Sequence, residues 1–364
     1  MLNLNLDEKA CVLLQRIDKL SVKKRMDVLS LFDNFGDIFT SYKEMKSEII
    51  RLSSTEFYDA LDNAIVSGAV EDELKKCERA GIVPVTYASD NYPDNLANIS
   101  SPPLVLFCKG RVELLNSELA IGVVGSRKVS RYGLDVAKKF GEDLAQNGVT
   151  VVSGMARGID SASHNGALSA HGNTIAVVAT GLDIVYPPEN LSLFRELTEK
   201  GLVVTEYVLG TPAQPFRFPE RNRIINGLSD GLLVVEAGEK SGALITLDHA
   251  IEEGRECFIV PANIDLRTAK GSNAMLRSMP HAITFGVDDI LNRFGRKAKE
   301  KEEVSAIQLD FNESKIVEFL ETGERHFDEI LEQVDLSSSQ LSSLLTRLEI
   351  SGVIKNVGGN FYSL

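Results

Sequence analysis

Residues 119–286 alternate between short apolar runs and longer amphipathic stretches, and this alternation limits the possible folds more than any other feature of the chain. The apolar runs are LAIGVVG (119–125), VTVVSG (149–154), TIAVVATG (174–181), LVVTEY (202–207), GLLVVEA (231–237), ECFIVPA (256–262) and AITFG (282–286). Between them lie YGLDVAKKFGEDLAQNG, GIDSASHNGALSAHG, ENLSLFRELTEKG and SGALITLDHAIEEG, which carry apolar residues at helical spacing. A nearly continuous apolar run fits a strand buried on both faces. A helix after each strand returns the chain to start the next one in the same direction. The expectation is an α/β fold built on a parallel sheet with helices on both faces.

The flanks have a different texture. Residues 1–80 read as a small helical domain of SAM-like or helix-hairpin-helix-like type, with LDEKACVLLQRI, SVKKRMDVLSLF and STEFYDALDNAI as its clearest helices. GIVPVTYASDNYP and PPLVLFCKG form lead-in strands with proline at their edges, so the core is expected over 81–295, with 80–114 as its lead-in. RKAKEKEEVS (296–305) is a charged linker. Residues 306–364 hold three helical patterns and then VIKNVGGNFYSL, a hairpin with a Gly-Gly turn; three helices and a two-stranded wing make a winged-helix plan.

Composition narrows the function classes. No run of 18 apolar residues and no basic-then-apolar leader is visible, so a cytoplasmic protein without a membrane span is expected. Cys11, Cys77, Cys108 and Cys257 lie far apart with no CxxC, which argues for reduced thiols and against a disulfide framework or zinc site. Against 39 Lys+Arg stand 52 Asp+Glu, a net charge of −13. That balance disfavours nucleic-acid binding over the whole surface. It leaves room for a local basic cleft, because salt screens surface charges over about 8–10 Å.

In an open parallel sheet, ligands bind beyond the carboxyl ends of the strands, so the residues after each strand matter most. These are Gly125, Ser126 and Arg127; then Gly154, Arg157, Gly158 and Asp160; then Thr180 and Gly181; then Gly238, Lys240, Ser241 and Gly242. PERNRIINGL (219–228) adds Arg221, Asn222 and Arg223 on a helix expected to cross the same edge. Glycine lets backbone approach a ligand, helix N-termini present free N–H groups, and guanidinium forks match phosphate oxygens. Together they point to a phosphate-bearing ligand. Phe216 and Phe218 beside Arg217 suit stacked bases, and equally suit a loop pinned to the core.

Other chemistry is weaker. IGVVG is not a GxGxxG dinucleotide fingerprint. His164 and His249 have no partner at metal spacing and read as packing or helix-surface residues. Ser153 and Ser241 lack a relay, and GxSxG is absent. Asp160 and Glu236 suit an acid–base pair, but Asp160 suits an arginine partner or a helix cap better. No catalytic residue, cofactor or metal is assigned.

GSR (125–127), SGMARGID (153–160), FPERNRIINGLS (218–229), EAGEKSGALIT (236–246) and the lead-in YPDNLANISSPPLVLFCKG (92–110) together resemble the DprA/Smf family of DNA-processing proteins. The resemblance implies an extended Rossmann-like core that binds single-stranded DNA, protects it and helps load the RecA recombinase during natural transformation or recombination. It implies a homodimer joined through the core and no enzymatic turnover. Its phosphate-binding pocket falls on Arg127, Arg157, Gly158, Arg221, Arg223, Lys240, Ser241 and Gly242. The sequence departs from the family pattern at Ala262 and Met279-Pro280-His281, and Asp248 is unfavourable near phosphate unless it points away. The rival reading is a nucleotide-binding or nucleotide-hydrolysing enzyme of the related lysine-decarboxylase-like group, whose PGGxGTxxE motif is missing. In SSSQLSSLLTRLE of the wing, Arg347 is the only basic residue, which favours protein contacts or regulation over duplex reading.

Overall fold

The computed structural model describes residues 2–17, 20–299 and 309–364. It divides into two compact units, Met1–Lys299 and Glu300–Leu364. The first unit begins with six helices: α1 (Leu6–Arg16), α2 (Val22–Leu29), α3 (Ile38–Ser41), α4 (Lys46–Leu52), α5 (Thr55–Val66) and α6 (Ala69–Ala80). Side-chain caps start several of them: Asn5 and Glu8 close a capping box on α1, and Ser54 caps α5.

The sheet follows. Its strands are β1 (Val83–Thr86), β2 (Val105–Gly110), β3 (Ala120–Val124), β4 (Thr150–Ser153), β5 (Thr174–Val177), β6 (Leu202–Thr205), β7 (Gly231–Val234) and β8 (Glu256–Ile259). A short α7 (Asp94–Ala97) lies between β1 and β2; α8 (Arg131–Gln146), α9 (Ile159–Ser169), α10 (Leu191–Lys200), α11 (Arg217–Gly227) and α12 (Gly242–Glu252) connect the later strands. After β8 come α13 (Lys270–Ser278) and α14 (Val287–Arg293). The strand order is β1-β2-β6-β5-β4-β3-β7-β8. The six strands from β6 to β8 are parallel, and β1 and β2 pair antiparallel at one edge, where Pro84 is tolerated. The middle strands β3 to β7 are buried at every residue, as continuous apolar runs require.

Two expectations are adjusted. AITFG forms no strand: Ile283 makes a single parallel bridge to Ile259, because the turn Pro280–Ala282 ends just before it and Gly286 opens α14 just after. The division near residue 80 does not follow the packing. Leu13, Leu14, Phe57 and Leu61 of the N-terminal helices share one buried cluster with Phe107, Ala176 and Val203 of the sheet. Of the linker, Arg296 pairs with Glu118 at 2.7 Å within the first unit, and residues 300–308 lie outside the described residues.

The second unit contains α15 (Phe311–Leu320), β9 (Arg325–His326), α16 (Phe327–Gln333), α17 (Ser338–Ile350), β10 (Lys355–Gly358) and β11 (Phe361–Ser363), with strand order β10-β11-β9. Ile316, Ile330, Leu341, Leu345 and Ile354 form its core. This is the winged-helix plan. Arg347 of α17 binds Asp310 at 2.9 Å and Glu313 at 2.5 Å, so that guanidinium is engaged within its own unit.

Candidate functional site

The strand order puts a site at β3 and β7. From β3 the chain builds β4, β5 and β6 to one side; β7 then returns to the other side of β3 and β8 extends it. Loops leaving the two strands at such a switch point run in opposite directions and open a crevice. Here residues 125–128 and 238–242 splay apart around a cleft of about 700 Å³, with α11 and the loop before it as the third wall.

Eleven of the residues singled out in the sequence line this cleft: Gly125, Ser126, Arg127, Asp160, Phe218, Arg221, Asn222, Gly238, Lys240, Ser241 and Gly242. Arg127 and Lys240 are exposed at its rim. The Arg127 guanidinium lies 4.7 Å from the centre of the Phe218 ring, which in turn lies 5.4 Å from that of Tyr186. The three side chains make a continuous π-surface along one edge. Ser241 accepts the Ala243 N–H at 3.3 Å as the cap of α12, whose positive end faces the cleft. Asn222 donates to Thr246 Oγ1 at 2.8 Å and accepts from Arg221 Nε at 3.1 Å.

Arg221 is a scaffold group. Only 3% exposed, it donates to the Gly154 carbonyl at 2.8 Å and to the Val177 carbonyl, holding the ends of β4 and β5 together. Burial lowers its pKa to about 10, opposed by the charge of Asp160. Asp160 is itself buried and accepts the Ala156 N–H at 3.3 Å; burial raises its pKa and Arg221 pulls it back. It is the one carboxylate among the residues lining the cleft. Glu236 is fully buried and accepts from the Ser130 N–H at 2.9 Å and from its hydroxyl, so it pins the start of α8 and does not pair with Asp160 as an acid–base couple. His164 is a packing residue: its Nδ1 meets Thr174 Oγ1 at 2.7 Å, and burial pushes its pKa down to about 3. Asp248 is exposed and absent from the lining, which removes the expected conflict with phosphate.

The remaining expected residues lie elsewhere. Gly154 and Arg157 line a small side pocket with Arg127 and Phe218, and Arg157 is ion-paired to Glu189. Gly158 meets neither cavity; a Cβ there would collide with the Ser126 carbonyl, and its φ is +81°. Arg223 and Phe216 face a different cavity, where Arg223 pairs with Glu206 at 2.5 Å. Side chains two apart on a helix point about 200° apart, so Arg221 and Arg223 could not both face the cleft. That signal was in the sequence. Lys128, Tyr186 and Thr246 also line the cleft and were not singled out. Tyr186 stands in VYPP just after the Thr180-Gly181 turn, an aromatic in a loop beyond a strand end.

The glycines divide in the same way. At Gly125 a Cβ would strike Ile159, and at Gly154 the Arg221–Asp160 pair. At Gly242 it would meet nothing within 4 Å, and at Gly238 nothing closer than 3.8 Å, with no positive φ at either. In the 262–281 segment, Asn273 hydrogen-bonds both the N–H and the carbonyl of Ala262, at 3.2 and 3.0 Å, so the segment is tied together despite the departures, and none of its residues lines the cleft. Among the described residues no cluster of three or more His, Cys, Asp or Glu is placed to hold a metal, and no helix is long and apolar enough to cross a membrane.

The model of the DNA recombination-mediator protein A family matches residues 84–295, and that of the DprA winged helix domain matches residues 300–360. DNA processing protein DprA of Bacillus subtilis is 37% identical over 239 residues, 64% of this chain and 80% of that protein. Protein Smf of Synechocystis is 43% identical over 184 residues, 50% of this chain and 46% of its own length, so the chain spans about half of that relative. Among solved structures, DNA processing protein A from Streptococcus pneumoniae has a TM-score of 0.66 at 31% identity, covering 77% of this chain and 95% of that one. A structure on the single-stranded DNA binding mode of DNA processing protein A from Helicobacter pylori has a TM-score of 0.53 at 27% identity, covering 58% and 95%. With both its core and its C-terminal unit matched, the chain belongs to the DNA recombination-mediator protein A family.

Proposed function

We propose that the switch-point cleft binds single-stranded DNA through its phosphates and stacked bases. The observation that carries this reading is the open side of the cleft. Gly238 and Gly242 need not be glycine for the protein's own packing, and they lie beside Lys240 and the α12 N-terminus, opposite Arg127 and Lys128. Backbone left bare between cations suits a chain of phosphates that must come close. The Tyr186–Phe218–Arg127 edge suits bases, which stack on any π-face without regard to sequence. The Helicobacter pylori neighbour, whose structure concerns single-stranded DNA binding, supports the same ligand.

The bound strand is shielded from nucleases and passed to the RecA recombinase during transformation or recombination, by a cytoplasmic homodimer joined through its core. The protein acts by binding rather than turnover.

The test is fluorescence anisotropy of labelled oligo-dT and a matched duplex, with wild type and Arg127→Ala/Lys240→Ala. Tight binding of the single strand, lost in the double variant, is expected. Equal affinity of the variant moves the site elsewhere. For the later step, the protein should speed RecA filament growth on strands coated with single-strand-binding protein, and the double variant should not.

A further inference from the structure

We infer that a second cavity, between the N-terminal helices and the core, takes a nucleotide of the same strand beyond those held at the switch-point cleft. This rests on the single-strand reading above and extends it. The cavity measures about 540 Å³ and is lined by four arginines, Arg16, Arg25, Arg217 and Arg223, against two glutamates, Glu206 and Glu220. Its net charge is therefore positive in a protein whose overall charge is −13.

Three features give it the character of a nucleotide site. First, its polar wall is not closed on itself. Gln15 Oε1, Glu206 Oε1 and Arg223 Nη1 are buried without a hydrogen-bond partner, and Glu206 is only 3% exposed. Native proteins seldom leave buried polar atoms unsatisfied. Gln15 Nε2 donates to the Glu206 carbonyl at 2.6 Å and Arg223 pairs with the Glu206 carboxylate, so the three side chains form one linked group, and its mix of acceptors and donor suits the edge of a base, which offers both, where a phosphate offers acceptors alone. Second, one of the arginines is set against aromatic surface: the Arg217 guanidinium lies 5.0 Å from the centre of the Tyr207 ring and 5.4 Å from that of Phe216. Third, the cavity adjoins the first site. Pro215 and Phe218 line the switch-point cleft, while Phe216 and Arg217, between them in sequence, line the second cavity. Phe216 is 55% exposed on the ridge that results. A strand leaving Phe218 meets Phe216 two residues away at the start of α11, with Phe218 on the cleft side of the ridge and Phe216 on the cavity side.

The experiment compares roughly four- and roughly twenty-nucleotide dT on the full chain by anisotropy, in wild type, Phe216→Ala, Ser101→Trp and Arg127→Ala. Ser101 lines the cavity, so tryptophan there narrows it, and neither Ser101 nor Phe216 touches the switch-point cleft. The expected result is that Phe216→Ala and Ser101→Trp each weaken the long strand by about tenfold and leave the short one unchanged, whereas Arg127→Ala weakens both. A 2-aminopurine placed along the long strand should also be quenched at a position that Phe216→Ala releases. If both cavity variants bind the long strand as wild type does, the second subsite is wrong and the first stands. If wild type binds neither strand, the first reading fails and the second with it. Should Ser101→Trp not fold, Phe216→Ala decides alone.

Discussion

The loops after β4 and β7 are both glycine-rich, both end in a helix, and look interchangeable as text; the structure uses them in opposite ways. After β4, Gly154 makes room for Arg221 and Asp160, Gly158 turns with positive φ against Ser126, and Arg157 is paired with Glu189. After β7, Gly238 and Gly242 stay bare and Lys240 is exposed. The first loop spends its chemistry on holding strand ends together. The second leaves its backbone and its lysine uncommitted within the protein, as the proposed strand site requires. A glycine therefore signals a ligand only when the protein itself has no use for the missing side chain.

The hardest test of this contrast is at the arginines. Arg221→Leu strips two strand-end carbonyls of their donor and buried Asp160 of the positive charge beside it, and should lower unfolding free energy by about 3–5 kcal/mol in urea. Arg127→Ala should change it by no more than about 0.5 kcal/mol while weakening single-strand binding. Equal stability losses in the two would erase the distinction. At the glycines, Gly154→Ala should cost about 1–3 kcal/mol through the Arg221–Asp160 collision. Gly242→Ala should leave the melting temperature level or slightly raised, yet weaken DNA binding; unchanged affinity would mean that no ligand needs that bare backbone.

Acid offers a third handle on the β4 side. His164 has its pKa lowered to about 3 in the folded chain from an ordinary 6.5, first by burial and then by Arg221. Below pH 6.5 the unfolded chain takes up a proton that the folded one refuses. Stability present above that pH is lost as pH falls toward 3, by about 1.4 kcal/mol per pH unit. Asp160, whose folded pKa is raised, works in the opposite direction. Replacing His164 with Gln leaves that opposing slope in place, so the variant should lose less stability than wild type between pH 6.5 and 4; parallel curves would clear His164 of the role. The smallest effect is in salt. If about four phosphates are neutralised, log K against log salt should slope near −3, at −0.7 per phosphate, and Arg127→Ala should flatten it by about 0.7. A flat wild-type plot would remove phosphate from the site.

The parallel sheet was legible because its strands are apolar throughout and its helices carry a clear period. The residues beyond the strands were legible as well, and eight of those chosen there share one cleft with Phe218, Arg221 and Asn222 of α11. Strand order was not, because nothing local in LAIGVV or GLLVVEA says that β3 and β7 are neighbours; the pairing of Ile121 with Gly231 is decided by the whole sheet. Nor could the sequence separate Arg127 from Arg221, since burial depends on what the rest of the chain stacks above a side chain. The phase of Arg223 was readable from helix geometry alone. That AITFG would stop at a single bridge was not, because the turn at Pro280–Ala282 and the start of α14 leave too few residues between them for a ladder.

The joint cluster of N-terminal helices and sheet also sets a schedule for synthesis. Leu13 and Phe57 are buried in company that includes Val203, on a strand made long after them. Contacts so distant along the chain form slowly, and a ribosome delivers roughly 5–20 residues per second. For some ten seconds or more, then, the first helices exist without the surface they were built to cover. Their apolar faces are during that interval a natural target for a chaperone, and deleting them from a gene would leave the sheet, not the helices, as the exposed party.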